Sequence, residues 1–74
     1  MKDLAYYQAL PYTRQVVRKN DEGLYFVATY AELDGIFGTG DTRSEAINQL
    51  NLMFDDGITG LLDMGAPIPE PVHP

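Results

Sequence analysis

The stretch Gly40-Asp41-Thr42-Arg43-Ser44-Glu45-Ala46 constrains this chain most, because an extended pattern stops there and a helical one begins. Thr42 can accept the backbone N–H three residues on while Glu45 reaches back to the Thr42 N–H, the Thr-x-x-Glu capping box. Asp41 and Glu45 also suit the positive end of a helix. Beyond the box, Ala46, Ile47, Leu50, Met53, Phe54, Ile58, Leu61 and Leu62 recur at three- and four-residue steps. One apolar stripe therefore runs for roughly six turns at about 3.6 residues each. This predicts a single helix from about Arg43 to about Met64, its stripe serving as core against one sheet. Gly57 and Gly60 weaken its middle, and Gly57 offers a break. Gly65 and the run Ala66-Pro67-Ile68-Pro69-Glu70-Pro71 end it, since proline lacks the N–H that a helix needs.

Everything ahead of the box reads extended, apart from an N-terminal arm over residues 1–11. There Leu4, Tyr6, Tyr7, Ala9 and Leu10 have helix-compatible spacing, and Pro11 turns Leu10 away from the helical region. Tyr12 to Lys19 mixes Thr13, Val16 and Val17 with Arg14, Gln15 and Arg18, the pattern of a strand with one wet face. Asn20-Asp21-Glu22-Gly23 is a hairpin loop. Leu24 to Tyr30 is apolar on both faces and reads as the central strand, with a helix on one side and a neighbour on the other. Glu32-Leu33-Asp34-Gly35 forms the next turn, and Ile36-Phe37-Gly38-Thr39 a short third strand whose glycine marks a bulge or a close backbone approach. Ile68 is placed as a short C-terminal strand at the sheet edge. The expected fold is α+β: a three-stranded antiparallel meander packed by one long helix plus that short strand, in the order β-β-β-α-β, over residues 12–68. Residues 69–74 form an extended tail.

A chain of 74 residues builds one domain with a small core, burying only about 60% of the surface its unfolded form exposes, so self-association is expected. Its 45% apolar and 22% charged residues are too hydrophobic a mixture for a disordered chain. Without cysteine there is no disulfide, zinc cluster or thiol nucleophile to consider. With no apolar run of about 18 residues and no signal peptide, the reading is cytoplasmic, with no membrane partner. Eleven acidic residues against five basic ones, net −6, repel phosphate backbones and argue against direct nucleic-acid binding. The same field attracts a basic protein.

No catalytic constellation emerges, and no cofactor or metal is expected. Gly38-Thr39-Gly40 sits where a dinucleotide fingerprint would, but the third glycine is missing and Asp41 and Glu45 would face the phosphates. Asp55 and Asp56, with Asp21, Asp34 or Asp41, could in principle mimic a metal nuclease, yet neighbours on a helix diverge and a solvated face explains them. His73 lies in the tail with no partner for base chemistry, and Ser44 is better explained by helix capping than by acyl transfer. The tyrosines, Tyr6, Tyr7, Tyr12, Tyr25 and Tyr30, suit core and sheet faces or an interface. Tyr6 and Tyr7 on the arm are the candidates for self-association.

Leu24-Tyr25-Phe26-Val27-Ala28, Glu32-Leu33-Asp34-Gly35, Gly40-Asp41-Thr42 and Glu45-Ala46, in this order and spacing, resemble the core of the HicB antitoxin family. Met1-Lys2-Asp3-Leu4-Ala5-Tyr6-Tyr7, Leu10-Pro11-Tyr12 and Ile68-Pro69-Glu70-Pro71 resemble its short, single-domain members, so the likeness spans nearly the whole chain. It departs from the family pattern at Asp34, where proline is usual, at Ile36, often cysteine, and at Gly57 and Gly60, usually helix formers. The resemblance implies a partial RNase H-like fold and a non-enzymatic role, binding and neutralising a small, basic, RNA-cleaving HicA-type toxin. An orphan homo-oligomer of the same fold without a toxin is the alternative, ahead of a metal-dependent nuclease. Candidate partner contacts are Asp21, Glu22, Glu32 and Asp34, because turns at sheet ends are exposed and charged.

Overall fold

The computed structural model describes residues 2–71, and the expectations for Met1 and for the tail at 72–74, His73 included, lie outside them. The elements are α1 (Leu4–Gln8), β1 (Arg14–Lys19), β2 (Tyr25–Tyr30), β3 (Leu33–Gly40) and α2 (Arg43–Met64). The strands form one antiparallel sheet in the order β1-β2-β3, with the strand read as central in the middle. The α+β meander packed by one long helix is therefore present. It measures 43 × 29 × 17 Å, the thinness of one sheet and one helix layer.

The capping box forms with one change of partner. Thr42 Oγ1 accepts from the Glu45 N–H at 3.1 Å, but the Glu45 carboxylate accepts from the Asp41 N–H, one residue before the position expected, also at 3.1 Å. The stop is a Schellman pair, with Gly65 N–H donating to the Leu62 carbonyl and Ala66 N–H to that of Leu61. Replacing Thr42 with alanine removes the acceptor and should cost about 1 kcal/mol. A thermal melt should read this as a midpoint lower by about 4–8 °C, whereas an unchanged midpoint would place the helix start elsewhere.

Alternation along the strands decides what the helix touches. Phe26, Ala28 and Tyr30 of β2 face α2, with Ala28 fully buried, while Tyr25, Val27 and Thr29 face away. Val16 pairs with Ala28 on the helix side, and Val17 with Val27 on the other. Between the layers lie Ala28, Leu33, Ile36, Ala46, Leu50, Phe54 and Ile58, joined by Tyr7 from α1. Nothing among the described residues covers the far face, where the sequence had placed a neighbour, and Val17 and Phe37 stand 49% and 50% exposed there.

Several boundaries differ from the sequence reading. β2 starts at Tyr25, leaving Leu24 exposed in the hairpin loop, and β1 starts at Arg14. The second turn tightens to Ala31 and Glu32, and β3 starts at Leu33 rather than Ile36. That early start is absorbed by a bulge: Leu33 pairs with Tyr30 and Phe37 with Thr29, so Asp34, Gly35 and Ile36 oppose no residue of β2. Gly35, at φ 84°, turns the chain there. Of the two readings of Gly38, a bulge or a close backbone approach, the second holds: a Cβ there would collide with Leu50 N and Ala46 O of the helix backbone. Gly57 does not break α2, and a Cβ on it would meet Ile36 Cδ1 at 2.9 Å, so this glycine brings the second half of the helix onto β3.

Among the described residues there is no short C-terminal strand. Residues 66–71 carry no regular secondary structure, because Pro67 and Pro69 on either side of Ile68 have no N–H for a ladder. Ile68 still packs against the core as a half-buried side chain. No helix among the described residues is long and apolar enough to cross a membrane.

Candidate binding surfaces

The four candidate contact acids are divided between opposite ends of the sheet. Asp21 and Glu22 lie in the exposed β1–β2 loop, Glu32 in the β2–β3 turn and Asp34 in the bulge at the start of β3. Asp21, Glu22 and Asp34 are exposed. Glu32 is already engaged: its carboxylate accepts from the Thr13 backbone N–H at 2.9 Å and from Thr13 Oγ1 at 2.8 Å, clamping the entry to β1 against the β2–β3 turn. These bonds, the backbone one foremost, hold its carboxyl below the usual range.

Tyr6 and Tyr7, the candidates for self-association, both make contacts within their own chain. Tyr7 is 6% exposed in the core, and its ring meets that of Tyr6 edge-on at 5.0 Å. Tyr6 Oη donates to Glu70 at 2.9 Å, and Lys2 Nζ pairs with the same carboxylate at 2.8 Å. Tyr12 Oη donates to the Pro69 carbonyl at 2.5 Å, so the start of the tail is strapped both to the arm and to the segment before β1. The Lys2 hydrogen bond, then that of Tyr6, holds Glu70 below the usual carboxylate range, while burial pushes Tyr12 up to about 12.

These shifts predict the acid limb of stability. Glu32 and Glu70 have folded pKa values below their unfolded ones, so their contribution is complete above the unfolded value of about 4.3 and is lost as pH falls through the folded values. The melting midpoint should hold from pH 7 to about 5 and drop below about 4.5. A Glu32→Gln, Glu70→Gln double variant should melt lower at pH 7 and show a shallower acid fall; an equally steep fall would mean that the two clamps contribute nothing.

Among the described residues no three of His, Cys, Asp and Glu converge on a common point. Asp55 turns to the arm, accepting from Gln8 Nε2 at 2.9 Å, while Asp56 is exposed. Gly40, like Gly38, is explained by packing, since a Cβ on it would lie 2.5 Å from that of Glu45.

A feature without a sequence signal opens between α1, α2 and β2: a cleft of about 260 Å³ whose lining includes Tyr7, Tyr12, Tyr30, Asn51, Phe54 and Asp55. No spacing could reveal it, because its residues come from the arm, the segment before β1, the end of β2 and the middle of α2. Only Asn51 and Asp55, four apart on one helix face, are legible as a pair. Comparisons of the chain with protein-family models, with curated proteins and with solved structures find no match.

Proposed function

We propose that this chain is a non-catalytic, cytoplasmic binding protein that captures a basic protein partner, and that the partner is a HicA-type ribonuclease silenced by occlusion of its active surface. The observation that carries this reading is charge without internal compensation. Eleven acidic residues face five basic ones, and Lys2–Glu70 is the one ion pair among the described residues. Carboxylates left in solvent raise the encounter rate with a cationic surface and select against anionic ones. The order of HicB-like motifs supports the identity of the partner and a partial RNase H-like ancestry for the sheet. Asp21, Glu22 and Asp34 are the steering groups, and Glu32 serves the fold first. A second reading, a homo-oligomer without a toxin, is favoured by the uncovered sheet face bearing Val17 and Phe37.

The test mixes the folded chain with a HicA-type ribonuclease and follows RNA cleavage and association rates. Cleavage should stop at equimolar protein, and association should slow several-fold between low salt and 0.15 M, where the screening length is about 8 Å. Asp34→Lys with Asp21→Lys should reproduce that slowing while dissociation changes less. Continued cleavage in excess folded protein overturns the antitoxin reading. Light scattering that returns two or more chains per particle at micromolar concentration, alongside continued cleavage, would favour the homo-oligomer.

A further inference from the structure

We propose that the cleft between α1 and α2 seats an arginine side chain of the partner protein, with the rings of Tyr12, Tyr30 and Phe54 as walls and Asp55 as the counter-charge. The inference rests on the reading of a basic protein partner and assigns it a contact. The three rings form a cluster with centroids 5.4–5.8 Å apart and planes inclined by 53–68°, so they meet at edges and tilts rather than stacking flat. Aromatic faces bear negative charge density and attract cations within about 6 Å of the ring centre.

Asp55 supplies what rings alone lack. Its Oδ1 accepts from Gln8, and among the described residues no lysine or arginine approaches it within ion-pair distance, so the carboxylate remains open to a cation. Asn51, one turn earlier on α2, also lines the cleft, and its side-chain amide offers an oxygen acceptor there. The walls are in place beforehand: Phe54, 5% exposed, backs the half-buried rings of Tyr12 and Tyr30, and the Tyr12 hydroxyl is tied to Pro69, which limits the ordering cost of binding. The volume of about 260 Å³ lies below the usual range for drug-sized ligands, about 300–1,000 Å³, and suits one side chain. A guanidinium fits better than an ammonium, because it is planar, weakly hydrated, able to stack on rings and able to fork its N–H groups onto a carboxylate.

The 74-residue chain titrated with N-acetyl-argininamide and followed by amide NMR provides the test. Saturable shifts centred on Tyr30, Asn51 and Asp55 are expected, with a dissociation constant on the order of 1 mM for so small a probe. N-acetyl-lysinamide should bind several-fold more weakly, and N-acetyl-alaninamide should not saturate. Asp55→Asn should weaken the arginine probe about tenfold, while Asp56→Asn, the next residue and exposed, should leave it unchanged. Equal losses in the two variants would reduce the effect to net charge and overturn the proposal, as would equal binding of the lysine or alanine probe. The ribonuclease then separates the two readings. If it binds wild type and Asp55→Asn equally well, the cleft is not its contact and this inference falls while the function stands. If it binds neither while the arginine probe saturates, the function falls and the guanidinium seat stands.

Discussion

Gly38→Ala should lower stability by at least about 3 kcal/mol, enough to leave this small domain partly unfolded at room temperature. The added Cβ would run into Leu50 N and Ala46 O and lie 2.8 Å from Gln49 C. All three are backbone atoms of α2, and backbone inside a helix cannot swing aside as the end of a side chain can. The helix must lift off the sheet, separating the layers that bury Ala28, Ala46 and Leu50. Gly60→Ala supplies the contrast, because a Cβ there meets nothing within 4 Å. It should stabilise by about 0.4–1 kcal/mol through helix propensity and a less mobile unfolded chain. Urea unfolding followed by far-ultraviolet circular dichroism would read both, and a cost below about 1 kcal/mol for Gly38→Ala would show that the layers are not in contact at that point.

Leu50→Ala should cost about 3–5 kcal/mol. Leu50 is fully buried against the sheet, with Ala28, Ala46 and Ile58 fully buried in the same cluster. Truncation loses the transfer energy of the deleted groups and leaves a void that a rigid helix on a rigid sheet collapses poorly. The chain has no cysteine and so no disulfide to offset the loss. Leu52, two residues along and 61% exposed, is the matched control, and its alanine variant should stay within about 0.5 kcal/mol of wild type. The denaturation midpoint should fall for Leu50→Ala with an unchanged slope, at roughly 4–8 °C of melting temperature per kcal/mol. Equal costs at Leu50 and Leu52 would mean that the apolar stripe faces elsewhere.

What the sequence by itself determined here is whatever is decided within a turn or two of the chain. The Thr42–Glu45 box, the three- and four-residue stripe and Gly65 set both ends of α2, because caps and amphipathic periodicity depend on neighbours a few residues away. Apolar patterning and turn residues set the number of strands and their order for the same reason, but not the start of β3, which the bulge moved from Ile36 to Leu33. The tertiary structure alone decided what depends on groups distant in sequence. Gly57 and Gly60 are alike as residues in a helix, yet Ile36 lies against one and open space against the other. Glu32 reads as a free turn charge until Thr13, nineteen residues earlier, is found donating to it. Tyr6 and Tyr7 read as core or as interface alike until Glu70 is found accepting from one and the core enclosing the other. The bulge at Gly35 and the aromatic cleft beside Asp55 follow the same rule: propensity is local, whereas the position of one side chain against another is fixed only when sheet and helix dock.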